Sequence, residues 1–300
     1  MKVGIIGLGK MGSGIAKKLL IKNHEIIGFD VDKKALNEIK KAGGIVTDSI
    51  GEFLERININ ETPIVWVMLP SGDITNGTLM LLKEKLKKGS IIIDAGNSNY
   101  KDSVKNSEQI KNSSINWLDI GTSGGVLGFE RGYCFMVGGD QEAYNYISPI
   151  LNALSKKDGY GYMGKAGSGH FVKMIHNGIE YGLMQAYAEG FELLEKNSKY
   201  KLDLSKILNL WQNGSIIESL LLEVSKDIFK EDSKLENIKG YVEDSGEGRW
   251  TAEEAIVEGV CLPVITMALM QRFRSRQEET FSDKVIAQMR NGFGGHSVKS

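Results

Sequence analysis

Residues 2–30 contain the segment that most restricts how this chain can fold. Lys2 to Ile6 is a short β-rich apolar run, followed by Gly7-Leu8-Gly9-Lys10-Met11-Gly12 and a helical stretch to about Lys22. Glu25 to Phe29 reads as a second strand, and Asp30 closes it. A GxGxxG run alone is weak, because glycine-rich turns are common. Here a strand precedes it, a helix follows it and an acid stands about 20 residues on, which is the setting of a dinucleotide-binding βαβ unit. Gly7 permits the tight turn, Gly9 lets the backbone approach a pyrophosphate, and Gly12 lets helix and strand pack closely. The helix N-terminus then faces the phosphates. Lys10 and Met11 belong to the same turn and count as cofactor-binding residues with the glycines. Asp30 accepts hydrogen bonds from adenosine ribose hydroxyls and repels a 2′-phosphate, which favours NAD. Lys33 and Lys34 follow closely and soften that preference, so NADP stays possible.

The alternation continues. Ile64–Met68 ends at Leu69-Pro70-Ser71-Gly72, Ser90–Asp94 at Ala95-Gly96-Asn97-Ser98, and Ile115–Ile120 at Gly121-Thr122-Ser123-Gly124-Gly125. Helical stretches near Thr75–Lys87 and Tyr100–Lys111 separate them. Strands alternating with helices imply an α/β Rossmann-type parallel sheet, doubly wound. Ligands of such sheets bind off the carboxyl ends of the strands, where these loops lie. Met68, Leu69 and Pro70 are therefore expected at the cofactor. Asn97 reads either as a turn residue or as an amide bridging cofactor and substrate. Ser123, Gly124 and Gly125 offer N–H groups and a hydroxyl to an anion, or form an ordinary turn. Tyr133–Val137 looks like one more strand, Asp140 like the cap of a helix to about Leu154, and Tyr160–Met163 like a last short strand.

After Gly167 the β signals fade. Helices are expected at about Ser168–Lys196, Leu204–Gln212, Ile216–Phe229, Ala252–Val260 and Val264–Arg276. The domains are thus 1–165, dinucleotide-binding, and 166–300, an all-α domain for substrate and dimerisation. The glycine-rich Arg290–His296 reads from composition as a frayed terminus.

Within the first of these helices Lys173, His176, Asn177, Glu180 and Tyr181 recur at i, i+3, i+4, i+7 and i+8, an arc of about 140°. Phe171, Val172, Ile175, Ile179 and Leu183 fall opposite, as a packing face. A polar stripe is usually a solvated face. This one holds five different functional groups, and Gly178 and Gly182 interrupt it at about 1 kcal/mol each relative to Ala. Such glycines point to close packing against another backbone, and the stripe is a plausible acid–base set.

With 41% hydrophobic and 25% charged residues, a well-buried core is expected. The net charge of −1 carries no nucleic-acid or membrane-surface footprint, so local cations must hold any anionic substrate. Cys134 and Cys261 form no CxxC or Cys/His cluster, so no zinc is expected, and both are expected to pack as small hydrophobes. No apolar run approaches a membrane span, and MKVGIIGLGKMG is too broken by glycine for a signal peptide, so a cytoplasmic protein is expected.

GLGKMG, MLPSG, DAGNSNY, DIGTSGG, GHFVKMIHNGIEYG, GEGRWT and RNGFGGH occur in this order over nearly the whole chain. Together they resemble the decarboxylating 6-phosphogluconate dehydrogenases, a branch of the β-hydroxyacid dehydrogenases. The most specific part is the K-M-x-H-N-G-x-E-Y helix. At 300 residues the chain is similar to the short form, with one helical unit where the longer NADP enzymes carry a duplicated one. Those enzymes have Asn-Arg-Thr after the second strand, where this chain has Asp30-Val31-Asp32. The resemblance implies that Lys173 is the general base at the C3 hydroxyl and Glu180 the acid that protonates C1 of the enediol. It implies that His176 and Asn177 orient substrate and nicotinamide, and that Asn97, Ser123, Gly124 and Gly125 line the pocket. Tyr181 and an arginine near 274 would hold the phosphate, Arg272 and Arg274 being unresolved between them. Arg290 and His296 would reach substrate in a neighbouring subunit of a homodimer or homotetramer. Burial beside the nicotinamide should lower the Lys173 pKa. Ser245 or its neighbour stands where the longer enzymes have a phosphate-binding lysine, and Glu247 where they have threonine. The rival readings are a 3-hydroxyisobutyrate-type dehydrogenase, which shares the Lys173/Asn177 pair, and a non-catalytic NAD-binding regulator.

Overall fold

Eight strands and their connecting helices form the first unit of the chain, Met1–His176, and the second, Asn177–Ser300, is helical. The structure is a computed structural model that describes residues 1–299. The first unit runs β1 (Lys2–Ile6), α1 (Lys10–Ile21), β2 (Glu25–Phe29), α2 (Lys33–Lys41), β3 (Ile45–Val46), α3 (Ile50–Asn58), β4 (Ile64–Val67) and α4 (Asp73–Lys85). It continues with β5 (Ile91–Asp94), α5 (Tyr100–Ile110), β6 (Asn116–Ser123), α6 (Gly128–Arg131), β7 (Tyr133–Gly139), α7 (Gln141–Leu154) and β8 (Ser155–Gly164). The sheet order is β3-β2-β1-β4-β5-β6-β7-β8.

The strands up to β6 are parallel, as the alternation predicts. β7 is not, and pairs antiparallel with β6, with β8 parallel to β7. Only α6 and its flanking turns link β6 to β7, and a parallel crossover needs about a dozen residues or more.

Both sheet faces are apolar with the two-residue period of a strand. Along β4, Ile64 and Trp66 enter one core while Val65 and Val67 enter the other; along β5, Ile91 and Ile93 oppose Ile92. Helices must therefore cover both sides. Cys134 falls on the outward parity between buried Tyr133 and Phe135 and is exposed, as is Cys261, so neither packs as a small hydrophobe. Asp140 stands at the start of α7 without capping it, since its carboxylate instead accepts from the Trp117 N–H at 2.7 Å.

α8 (Ser168–Lys196) starts in the first unit and continues into the second. The unit boundary at His176 lies beyond residue 165 because the first turns of α8 are fastened to β6 and β7. A Cβ on Gly169 would lie 2.4 Å from the Asp119 carbonyl oxygen and 2.5 Å from that of Met136. The second unit adds α9 (Leu204–Trp211), α10 (Leu220–Glu231), α11 (Glu247–Glu258), α12 (Pro263–Ser275) and α13 (Phe281–Gly294). α10 begins after residue 216 because Ser219 caps it, accepting from the Leu222 N–H at 3.0 Å. The tail is helical rather than frayed: Thr280 caps α13 by accepting from Asp283 N–H at 3.1 Å, and only Gly295, at φ +61°, ends it. This unit has a small core, with Phe191, Leu204, Leu208 and Leu222 in one cluster and Tyr181, Ala268 and Leu269 in another. It leaves Ile216, Ile256, Phe281 and Phe293 exposed.

Candidate active site

The first unit presents a cleft of about 970 Å³ at the carboxyl end of β1, lined by Leu8, Gly9, Lys10, Asp30, Asp32 and Lys34, among others. Gly7, at φ +91°, crosses beneath Met68, and a Cβ there would lie 2.3 Å from the Met68 carbonyl oxygen. A Cβ on Gly12 would lie 2.0 Å from the Gly7 oxygen, whereas Gly9 faces open space. Two glycines are thus required by the protein's own packing, and the middle one borders the room a pyrophosphate needs. Met11 is half-buried against the core, and Met68 is anchored by its N–H to the Ile6 carbonyl at 2.8 Å. Leu69 packs on the opposite core, and the Pro70 carbonyl accepts from Thr75 Oγ1 at 2.7 Å. The Asp30 carboxylate is held by Leu8 N–H at 2.6 Å and Asp32 N–H at 2.8 Å. Its place at the end of β2, beside the glycine turn, suits a ribose diol.

The loops after β5 and β6 come together. Asn97 adopts a left-handed conformation at φ +53°, and its Oδ1 accepts from the Thr122 N–H at 3.4 Å. Gly124 and Gly125 also have positive φ, so the chain turns sharply past Ser123. Ser123 Oγ lies 3.2 Å from His176 Nε2, and Lys173 Nζ lies 3.4 Å from His176 Nδ1. Both ring nitrogens of His176 are thus engaged, one by Ser123 and one by Lys173. Lys173 is 5% exposed and lies over Gly121, where a Cβ would come within 2.3 Å of its own.

Two buried acids outside the sequence-derived set support these loops. Asp119, fully buried in β6, accepts from Gly167 N–H at 2.6 Å and His170 N–H at 2.9 Å, a carboxylate at the N-terminus of α8. His170 Nδ1 meets Ser103 Oγ at 2.7 Å. Asp94, also fully buried, receives Gly96 N–H and Ser98 Oγ; burial, opposed by His170, pushes its carboxyl above the usual range. The signal for both acids is a charge inside an apolar strand, DIG in β6 and IIID in β5.

In the second unit α8 carries Asn177, Glu180 and Tyr181. The packing is the reverse of the amphipathic expectation: Ile179 and Leu183 are about half exposed, whereas Tyr181, Gly178 and Gly182 are buried. The cause lies in those glycines. A Cβ on Gly178 would meet Thr251 of α11 at 2.8 Å, and one on Gly182 would meet Val264 of α12 at 3.3 Å, so the close helix contacts sit on the flank that these glycines share with Tyr181 and not on that of Ile179 and Leu183. Asn177 Nδ2 donates to Glu247 at 3.0 Å. The Tyr181 oxygen accepts from Ser245 N–H at 3.1 Å, and the Arg272 guanidinium lies 3.4 Å from the centre of the Tyr181 ring. Arg274 points elsewhere, to the Gln277 carbonyl and Asp283. Arg249 and Arg276 both pair with Asp244, whose carboxyl Arg249 above all holds below the usual range. Glu180 is half-buried, and Arg290 and His296 are exposed. Among the described residues no group of three or more His, Cys, Asp or Glu side chains is placed to hold a metal ion.

Comparison with known proteins accords with this geometry. The profile of the NAD binding domain of 6-phosphogluconate dehydrogenase matches residues 2–178, and that of the 6-phosphogluconate dehydrogenase C-terminal domain matches residues 169–297. YqeC of Bacillus subtilis (strain 168) is 46% identical over 299 residues, covering 100% of this chain and 99% of its own. The NAD(+)-dependent, decarboxylating 6-phosphogluconate dehydrogenase of Haloferax volcanii is 40% identical over 300 residues, covering 99% and 98%. Among solved structures, Plasmodium falciparum 6-phosphogluconate dehydrogenase, studied with NADP+ and with 6-phosphogluconate, superposes with a TM-score of 0.84 at 28% identity, over 100% of this chain and 66% of that one. Mycobacterium tuberculosis 3-hydroxyisobutyrate dehydrogenase shares the fold at 20% identity and a TM-score of 0.71, covering 89% and 90%.

Proposed function

The chain belongs to the 6-phosphogluconate dehydrogenase family, and we propose that it oxidatively decarboxylates 6-phosphogluconate to ribulose 5-phosphate and carbon dioxide, with NAD as the preferred oxidant and NADP as a weaker one. One observation carries the reading: a lysine almost fully removed from water, hydrogen-bonded to a histidine that is itself held by a serine at the carboxyl end of β6.

The residues around the cleft fit a dinucleotide, through the open approach at Gly9 and the anchored Asp30. When bound, NAD supplies the acceptor for a hydride from C3. Lys173 takes the C3 hydroxyl proton, for which burial is the physical preparation, since it disfavours the ammonium. His176 and Ser123 fix the direction of the lysine. Lys173, now protonated, passes that proton to the ketone oxygen as the carboxylate leaves as carbon dioxide, and Glu180 then protonates C1 of the enediol while Lys173 takes the enol proton back. Asn97, Ser123, Gly124, Gly125 and Asn177 receive the sugar acid. Tyr181 and Arg272 are the phosphate ligands, Arg272 replacing Arg274 because Arg274 is turned to Asp283.

The exposed apolar side chains of the second unit support a homodimer or homotetramer, in which Arg290 and His296 reach the partner's substrate. No helix among the described residues is long and apolar enough to cross a membrane. We place the enzyme in the cytoplasm, where exposed Cys134 and Cys261 stay reduced.

Steady-state assays with 6-phosphogluconate and with 3-hydroxyisobutyrate test the reading. Turnover of the first is expected, and Lys173→Ala should lower its kcat by at least about 10²-fold with NAD binding kept. Turnover of 3-hydroxyisobutyrate alone, or unchanged turnover in the variant, would overturn it.

A further inference from the structure

Glu247 opens α11 and is 5% exposed. An acid in a first helical turn is already favoured by the unpaired N–H groups there. This carboxylate, however, serves two side chains. Oε1 accepts from Asn177 Nδ2 at 3.0 Å, and Oε2 accepts from the Ser245 hydroxyl. An ionised carboxylate can only accept. Asn177 must therefore turn its amino group to Glu247, which settles the sense of an amide whose two ends are otherwise almost interchangeable in shape. Its carbonyl oxygen then faces away from Glu247. Ser245 commits its proton to Glu247, so its oxygen accepts from the Tyr181 hydroxyl at 3.4 Å, while its N–H donates to the Tyr181 oxygen at 3.1 Å. One carboxylate thus sets the donor–acceptor sense at two α8 positions four residues apart, which is one helical turn.

The geometry points to Glu247 as a positioning residue for the proposed reaction: it holds Asn177 so that a carbonyl oxygen, and not an amino group, is offered to a hydroxyl of the sugar acid. This rests on the functional reading above. Glu247 touches no reacting atom and acts through Asn177. An isosteric amide at 247 would fill the same space yet leave two nearly equal hydrogen-bonding arrangements, one of which reverses Asn177.

Two readouts test it. The first is the pair of Asn177 side-chain amide protons, followed by ¹⁵N NMR: widely split in the wild type, because one of them is held on a carboxylate, and drawn together in Glu247→Ala. It needs no turnover, so failure of the positioning is distinguishable from failure of the proposed reaction. The second is kinetic. Glu247→Ala should raise KM for 6-phosphogluconate about tenfold, roughly the value of one well-made hydrogen bond, and leave KM for NAD within about twofold. Glu247→Gln should lose less than Glu247→Ala, but measurably. Asn177→Asp sets two carboxylates face to face and should lose more than either. The pair Asn177→Asp/Glu247→Gln keeps the net charge and lets a carboxamide donate to the carboxylate, whose other oxygen again accepts. It should recover at least about tenfold in kcat/KM over Asn177→Asp alone. No recovery in the pair, or unchanged amide protons and KM in a Glu247→Ala protein that melts like the wild type, would overturn the proposal.

Discussion

Arg272 and Arg274 are two positions apart on α12, and their guanidinium groups meet different partners. Arg272 lies on the Tyr181 ring and donates to the Glu243 backbone carbonyl, and among the described residues it is in no ion pair. Arg274 is paired with Asp283, both side chains about half exposed, an arrangement that contributes little to stability. Helical spacing of i and i+2 separates the two by roughly 200°, so one substrate cannot use both alike. Arg272→Ala is expected to raise KM for 6-phosphogluconate by ten- to a hundredfold, about the value of one or two charged hydrogen bonds, with KM for NAD unchanged. Arg274→Ala should stay within about twofold of wild type. Equal effects of the two substitutions on KM would remove Arg272 from the phosphate site. At this scale the sequence yields residue types and spacing. It leaves out which of two near neighbours an aspartate on another helix has already claimed.

α8 carries Lys173, Asn177 and Glu180, and Asp119 fastens its beginning. Without the Asp119 carboxylate, two N–H groups at the start of α8 lose their acceptor inside a dry core. Asp119→Ala should therefore destabilise the fold by about 3 kcal/mol, within the range for losing buried hydrogen bonds to a charged group, and lower kcat as Lys173 shifts. A chemical melt that moves by less than about 0.5 kcal/mol would show that α8 is held by other contacts. The GxGxxG turn was legible because backbone collisions, at Gly7 against Met68 and at Gly12 against Gly7, leave no other residue type. The length of α8 was legible too. Its orientation was not: Gly178 and Gly182 signalled close packing, yet the contacts they make bury the flank that includes Tyr181 and leave Ile179 and Leu183 exposed. β3 escaped notice because two residues carry no period, and α13 because the glycines at 292 and 294 mask a helix that Thr280 starts and Gly295 ends.

For the whole molecule, a net charge of −1 means that no general field draws in a phosphorylated sugar acid. On the proposed reading, recognition falls to a few local groups, Arg272 and Lys173 among them. The chain spans 66% of the matched Plasmodium falciparum structure and 98% of the Haloferax volcanii relative. The fold is shared with 3-hydroxyisobutyrate dehydrogenase, which makes the outcome of the chemistry, more than the fold, the discriminating observation. The central claim is that oxidation at C3 and loss of C1 occur at one site around Lys173. The most direct measurement is the ratio of carbon dioxide released to NADH formed in a single reaction of the protein with 6-phosphogluconate and NAD. The account predicts a ratio of about one throughout the progress curve, each hydride transfer being followed by one decarboxylation. NADH formed without carbon dioxide, or no NADH at all, would contradict it.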